Sequence, residues 1–343
     1  MMLDPRYSRQ ILFPGIGADG QARLRQSHVL LVGCGALGSV LAEILVRAGV
    51  GRLRIADRDY VDETNLQRQA LFTEQDWLSG LPKAVAAARH LKEINSQVEI
   101  EECVVDVDFR NIGLLLQSAG LILDGTDNFE ARYLLNDASL KWGIPWVYGA
   151  CVGAYGLCAA FLPGQSPCLR CLLEDMPPAG SSPTCDTSGV LGPIVHAVAA
   201  MEAVEALKIL TGNAQHLSRK LTTIDLWENR VVSVDLSGRE PDPECPACGK
   251  HRFEFLSGAR ESRTESLCGS SAVQIRCREP LGIPFEDLAR RLAPQARVVY
   301  NEYLLKAQWD EIEIAQFRDG RAIIRGARGV DEAKRFYAKF IGL

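Results

Sequence analysis

A short apolar run, Ser27–Gly33, leads directly into Gly33-Cys34-Gly35-Ala36-Leu37-Gly38. A helical pattern follows, with Leu37, Leu41, Ile44, Leu45 and Ala48 on one face, and Gly49 and Gly51 end it. A G-x-G-x-x-G between a predicted strand and a predicted helix serves a phosphate. Its glycines let the backbone turn tightly and approach the ligand, and the helix N-terminus offers unpaired N–H groups and a positive dipole end. Asp57 ends the next predicted strand roughly twenty residues on, where an acid grips ribose hydroxyls. Taken alone, this motif leaves a dinucleotide and an adenine nucleotide both open, and an NAD-dependent oxidoreductase is its commonest owner.

The alternation continues along two-thirds of the chain. Arg52–Asp59 reads as a strand, Lys83–Asn95 as an amphipathic helix, and Val98–Asp106 and Gly120–Thr126 as strands. Phe129–Trp142 is helical, and Pro145–Val152 and Leu157–Leu162 are strands. This order predicts an α/β fold with a doubly wound, Rossmann-like, mostly parallel sheet and right-handed crossovers. From about Leu221 the pattern changes. Thr222–Asp235 reads as a strand pair broken near Glu228-Asn229, and Glu240–Gly249 is rich in Pro and Cys. Residues 257–266 are polar and aperiodic, which predicts a linker between a nucleotide-binding domain, 1–256, and a small α+β domain, 267–343. In the latter, strands are expected at Ala272–Cys277, Arg297–Leu305 and Ile312–Ile324, the last turning at Arg318-Asp319-Gly320. Helices are expected at Phe285–Leu292 and Val330–Ile341.

Three features pull the site away from NAD. Asp57-Arg58-Asp59 is followed by Asn65-Leu66-Gln67-Arg68-Gln69, an Asn and an Arg that a triphosphate would use as charge-assisted donors. Lys83, in Gly80-Leu81-Pro82-Lys83, opens a helix and so adds its charge to the helix dipole. Asp124-Gly125-Thr126-Asp127-Asn128 closes a predicted strand at the edge where such sheets bind ligands, and an acid there suits Mg²⁺. Each residue also has an ordinary structural use. Asn65 could cap a turn, Arg68 could form a surface ion pair, and Asp127 could cap the helix at Phe129.

Of 343 residues, 47% are apolar and 24% charged, with a net charge of −5, the composition of a globular domain. No Lys/Arg run marks a nucleic-acid or anionic membrane surface, so neither partner is expected. Met1–Arg9 lacks an apolar core of signal-peptide length. The longest apolar stretch, Val190–Leu210, carries Pro193, His196, Glu202, Glu205 and Lys208, which predicts a buried helix in a cytoplasmic protein. Eleven cysteines in such a chain call for metal before disulfides. Cys168-Leu169-Arg170-Cys171 and Cys245-Pro246-Ala247-Cys248-Gly249 form two C-x-x-C pairs whose four thiolates suit a closed tetrahedral Zn²⁺ site. A redox C-x-x-C is disfavoured, because neither pair opens a helix in a thioredoxin-like unit. Cys34, Cys103, Cys151 and Cys158 sit in apolar runs and are expected in the core.

With these residues assembled, the sequence resembles the MoeB/ThiF/HesA family of ubiquitin-activating-enzyme-like proteins. The resemblance runs from Arg6-Tyr7-Ser8-Arg9-Gln10 through the glycine loop, D-x-D, N-L-Q-R-Q, P-K, D-x-T-D-N and T-C-x-x-x-G-V-x-x-P to Cys248. It implies an adenylyltransferase that uses ATP and Mg²⁺ on the C-terminal Gly carboxylate of a ubiquitin-like sulfur-carrier protein with a Gly-Gly end, for thiamine or molybdopterin synthesis. It implies Gly33, Gly35 and Gly38 as the nucleotide loop and Asp57 on the ribose, with Asp59 beside it. Asn65, Arg68 and Lys83 would lie on the phosphates and Asp127 on Mg²⁺, with Zn²⁺ on the four cysteines. It implies a homodimer in which Arg9 reaches the phosphates of the neighbouring subunit. Cys185, in Thr184-Cys185-Asp186-Thr187-Ser188-Gly189-Val190, would join the carrier by a thioester, or take part in sulfur transfer with a cysteine desulfurase or other donor. An exposed thiol without a role is the alternative for Cys185. Related activators of a tRNA base or a small carboxylate remain open, as does the NAD reading. The segment beyond Ser266 is outside the resemblance. It is too short for a rhodanese domain and offers only Cys268 and Cys277 as thiols.

Overall fold

The computed structural model describes residues 4–177, 185–259, 272–276 and 281–342. The chain forms two compact units. The first comprises Met1–Asp59, Glu63–Thr73 and Lys83–Glu261, the second Tyr60–Asp62, Glu74–Pro82 and Ser262–Leu343.

The first unit is built on eight strands: β1 His28–Val32, β2 Arg52–Asp57, β3 Glu99–Val104, β4 Leu121–Asp124, β5 Trp146–Val152, β6 Tyr155–Phe161, β7 Lys220–Asp225 and β8 Arg230–Asp235. Their order is β3-β2-β1-β4-β5-β6-β7-β8. Neighbours from β3 to β5 are parallel, and those from β5 to β8 antiparallel. All five residues of β1 are buried, as in a strand covered on both faces. Helices α1 Ala36–Ala48, α2 Lys83–Ile94, α3 Phe129–Trp142 and α4 Gly192–Leu210 cover the sheet. The expected doubly wound sheet is therefore present. It turns antiparallel after β5 because only Gly153 and Ala154 join β5 to β6, too few for a crossover, and Gly153 adopts φ +60°. The break expected at Glu228-Asn229 separates β7 from β8, with Asn229 at φ 51°. Helix α4 corresponds to the longest apolar stretch, but only one face of it is buried, a correction to the expected buried helix, since Pro193, His196, Ala200 and Val204 are exposed. Among the described residues no helix is long and apolar enough to cross a membrane.

Strand order reverses between β1 and β4, which opens a crevice at their C-terminal ends. The glycines there are dictated by sterics. A Cβ on Gly38 would sit 2.0 Å from the Gly33 carbonyl oxygen, and one on Gly33, at φ +86°, 2.6 Å from the Gly125 oxygen. Gly38→Ala is expected to cost about 3 kcal/mol, read as a lower urea midpoint with an unchanged m-value.

One core acid gives a pH signature. Asp137 on α3 accepts the Phe255 N–H at 3.0 Å, and burial pushes its pKa up to about 6. The folded chain then keeps a proton that the unfolded chain releases near pH 4, so this residue's contribution to stability falls as pH rises from about 4 to about 6. Asp137→Asn should remove that slope. Wild-type stability relative to the variant is expected to drop by up to about 3 kcal/mol between pH 4 and 7, checked by urea midpoints.

The second unit carries a five-stranded antiparallel sheet in the order β10-β11-β12-β13-β9. Its strands are β9 Ala272–Arg276, β10 Arg297–Tyr300, β11 Leu304–Trp309, β12 Ile312–Phe317 and β13 Arg321–Arg325. Helices α5 Phe285–Leu292 and α6 Val330–Phe340 bury Phe285, Leu288, Leu292, Ala333 and Tyr337 against Leu305, Ile314 and Ile324. The expected single strand Arg297–Leu305 is in fact two. Asn301 breaks it, because its side-chain oxygen accepts the backbone N–H groups of Tyr303 (2.8 Å) and Leu304 (3.0 Å). Of the expected linker, residues 260–266 lie outside the described residues, as do Cys268 and Cys277. The preceding Ser257 and Ala259 still donate backbone hydrogen bonds, to Phe253 and Glu254.

Candidate functional site

The crevice at the strand-order reversal is walled by the Gly33–Gly38 loop and by Asp124–Asn128. Gly33, Gly38 and Gly125 pack against one another, whereas a Cβ on Gly35 would meet nothing nearer than the Gln69 amide nitrogen at 3.8 Å. Gly35 is therefore the loop position left open toward a ligand. Asp57 closes β2, and both of its oxygens are engaged. Oδ2 accepts the Cys34 N–H at 2.6 Å and Oδ1 the Asp59 N–H at 2.7 Å, which ties the glycine loop to the strand end. Burial raises its pKa, against the attraction of Lys83.

Asp59 and Lys83 form an ion pair, Oδ2 to Nζ 2.8 Å, reinforced by the Lys83 N–H donating to the Asp59 carbonyl at 2.9 Å. Burial disfavours the charge on Lys83, but Asp59 and Asp57 outweigh it and hold the pKa above that of an ordinary lysine. Asp127 is exposed on the loop after β4, its Oδ1 3.3 Å from the Asn128 amide nitrogen. Its charge stabilises those of Lys83, Arg58 and Arg132. The helix cap once open to Asp127 belongs to Asn128, whose Oδ1 accepts the Ala131 N–H at 2.9 Å.

Asn65 is buried in the turn Glu63–Asn65, and its carbonyl accepts the N–H groups of Arg68 and Gln69. The Arg68 guanidinium donates to the Thr64 carbonyl at 2.7 Å within the same loop. Arg9 stands exposed on the short helix Ser8–Ile11. The structure thus gathers Asp57, Asp59, Lys83 and Asp127 around the glycine loop. Arg68 and Arg9 are placed only within their own segments.

Two further residues belong to this cluster. Asp124, fully buried, accepts the Thr126 N–H (2.9 Å) and hydroxyl (2.6 Å), and burial pushes its pKa up to about 6 against the pull of Arg132. Arg132 donates to the Thr126 carbonyl at 3.0 Å and lies 5.4 Å from the ring centroids of both Phe129 and Tyr148. It holds the loop that carries Asp127. No motif marked Arg132 in the sequence, because an arginine in the first turn of a helix is ordinary, whereas Asp124 was visible inside D-x-T-D-N.

The two C-x-x-C pairs converge. Cys168 Sγ is 3.8 Å from that of Cys171 and 3.7 Å from that of Cys245, and Cys171 Sγ is 3.3 Å from that of Cys248. All four lie within 4.8 Å of one another. A tetrahedron with metal–sulfur bonds of about 2.3 Å has edges of about 3.8 Å, so the donor set fits Zn²⁺, and the separations are far beyond a disulfide. Cys185 opens the short helix Cys185–Ser188, half-buried, with its Sγ 3.6 Å from the Cys151 carbonyl oxygen. The residues before it, 178–184, lie outside the described residues. Cys34 and Cys158 are core residues as expected. Cys103 and Cys151 are only partly buried, a correction to that expectation, since each lies near a strand end rather than mid-sheet.

Against known proteins, a family model described as the ThiF family matches residues 7–247. The chain is 45% identical over 338 residues, 98% of its length and 99% of the other's, to the sulfur carrier protein ThiS adenylyltransferase of Bacillus subtilis. It is 38% identical over 249 residues, 71% of its length and 90% of the other's, to the sulfur carrier protein adenylyltransferase of Thermus thermophilus. Its fold is similar to that of E. coli MccB, with a TM-score of 0.62 at 24% identity over 71% of this chain and 72% of that one. On the span of the family match and the level of identity, this chain belongs to the ThiF family.

Proposed function

We propose that this chain is an adenylyltransferase that transfers AMP from ATP to the C-terminal carboxylate of a ThiS-type ubiquitin-like sulfur-carrier protein ending in Gly-Gly, for thiamine biosynthesis. The observation that carries the reading is the Asp59–Lys83 pair and exposed Asp127 at the mouth of the glycine loop, in a chain aligned end to end with a ThiS adenylyltransferase.

The carrier's α-carboxyl, with a free pKa of about 3.5, is ionised at neutral pH, so no general base is needed. The difficulty is that an anion must approach a polyanion. The carboxylate oxygen attacks the α-phosphorus, the bond to the bridging oxygen breaks, and pyrophosphate leaves with that electron pair. Gly33, Gly35 and Gly38 let the helix N-terminus face the phosphates, and Asp57 receives the ribose. Lys83 and Arg68 neutralise the phosphate chain, and Asn65 helps to orient it. Mg²⁺ suits the exposed carboxylate of Asp127, which would hold it, and the ion would offset charge on the phosphates. Arg9, exposed on its short helix, supports a homodimer in which it serves the partner's site. Zn²⁺, held by Cys168, Cys171, Cys245 and Cys248, would be structural and tie the segment after β8 to the end of β6. For the onward step Cys185 is the residue: its thiolate displaces AMP from the acyl adenylate and forms a thioester, ready for a sulfur donor such as a cysteine desulfurase. The chemistry lies in residues 1–256, in the cytoplasm.

The test is ATP–pyrophosphate exchange by the purified chain with Mg²⁺ and candidate carriers ending in Gly-Gly. Exchange that requires a ThiS-type carrier supports the reading. ATP binding without exchange on any carrier would move the acceptor to a small carboxylate or a tRNA base.

A further inference from the structure

We infer that the second unit is a positioning device for the phosphate end of the nucleotide site: it fixes the two-stranded ribbon that ends in Asp59 and Lys83, and so sets affinity for the phosphates of ATP. The inference rests on the reading of Asp59 and Lys83 as phosphate-side residues.

The ribbon pairs residues 59–61 with 81–83. The Lys83 N–H donates to the Asp59 carbonyl at 2.9 Å, Tyr60 and Pro82 form an isolated antiparallel bridge, and the Val61 N–H donates to the Leu81 carbonyl at 2.9 Å. Its terminal side chains are the ion pair, Asp59 Oδ2 and Lys83 Nζ at 2.8 Å. Every other residue of the ribbon, through Tyr60–Asp62 and Glu74–Pro82, is part of the second unit. So the peptide bonds after Asp59 and before Lys83 lead straight into that unit.

Within the second unit the ribbon is gripped by one side chain from each of three neighbouring strands. Tyr60 is fully buried. Lys306 of β11 places its ammonium 3.8 Å from the centre of the Tyr60 ring, and the Arg325 guanidinium of β13 lies 4.8 Å from it. The Tyr60 hydroxyl donates to Glu313 of β12 at 2.6 Å. Arg325 also pairs with Asp62. Asn301, in the turn before β11, donates to the carbonyls of Ser79 and Gly80, each at 3.1 Å.

A ribbon closed by a single bridge is marginal by itself. A lysine assists phosphate binding only when its ammonium is held where the phosphate arrives, and its four-carbon stem leaves it many other places to be. Two cation–ring contacts, an ion pair and three hydrogen bonds are more than surface packing requires, and all converge on the residues flanking Asp59 and Lys83. The Bacillus subtilis relative matches the chain across this unit, whereas the family model stops at residue 247.

The experiment is calorimetric titration of the full-length chain with ATP and, separately, with adenosine, both with Mg²⁺, for wild type, Arg325→Gln, Arg325→Lys and Tyr60→Phe. Adenosine lacks the phosphates that Lys83 meets. The expected result for Arg325→Gln is ATP binding about tenfold weaker with adenosine binding unchanged, partial recovery in Arg325→Lys, and a smaller loss, about threefold, in Tyr60→Phe, which keeps the ring. A general loss of fold would weaken both ligands alike, and that result overturns the inference. So does unchanged ATP affinity in variants that circular dichroism shows to be folded. Carrier-dependent exchange is run alongside. A wild type that binds ATP but exchanges on no carrier defeats the proposed function and leaves this test in force. A wild type that binds no ATP defeats both.

Discussion

Asp127→Ala is expected to lower carrier-dependent ATP–pyrophosphate exchange by about a thousandfold while the chain stays folded. Both halves of that expectation come from where Asp127 sits. It is exposed on the loop after β4 and, among the described residues, receives a single long hydrogen bond, 3.3 Å, from its neighbour Asn128, so truncation removes little packing. Yet its charge is felt by Lys83, Arg58 and Arg132, the cations that surround the crevice. An acid that stabilises three cations without being buried by them is available to a metal–phosphate complex. Asp127→Asn separates charge from shape, because the amide fills the same space. If charge is what matters, Asp127→Asn should be nearly as damaging as Asp127→Ala, and raising Mg²⁺ should recover neither fully. Steady-state exchange measured against Mg²⁺ concentration, with thermal unfolding as a check on folding, decides the matter. Full exchange in Asp127→Ala would remove this residue from the mechanism.

Cys171→Ser is expected to abolish stoichiometric zinc binding and to destabilise the chain by about 4 kcal/mol or more, because the free energy of a structural zinc site is folding free energy. Cys171 neighbours both Cys168 and Cys248, at 3.8 and 3.3 Å, and its loss takes one of the four donors from the tetrahedron. The apolar surroundings are thin, with Ala247 buried and Leu140 packed alongside, and could not by themselves hold the segment after β8 in place. Metal analysis of the purified protein and thermal melts with and without a chelator provide the check, with Cys185→Ser as the control that should retain zinc. One equivalent of zinc in Cys171→Ser, with an unchanged melting temperature, would show that Cys171 is not a zinc ligand.

Much of the fold was legible because its signals are local. Strand and helix lengths around β1, α1 and α3 follow from apolar periodicity and from the glycines at 49 and 143, each observed in the left-handed conformation. Asn301 was missed because a single side chain that bonds two backbone N–H groups interrupts an otherwise even β pattern. The signal was a turn-forming Asn, outweighed in the pattern by the apolar residues on either side of it. The segments 60–62 and 74–82 likewise read as connections in the nucleotide-binding half, and no periodicity assigns them to the second unit.

By itself the sequence determined the chemistry on offer: a glycine loop, an acid after β2, a lysine opening α2, an acid after β4 and four paired thiols. Those depend on residue type and on distance along the chain, which the sequence states directly. Only the tertiary structure decided which of them meet. It joined Asp59 to Lys83 across a ribbon, brought thiols 77 residues apart to within 3.3 Å, and set Arg132 against the Thr126 carbonyl beneath Asp127. Such encounters are settled by the packing of the whole chain, because the free energy that closes each loop comes from surface buried elsewhere.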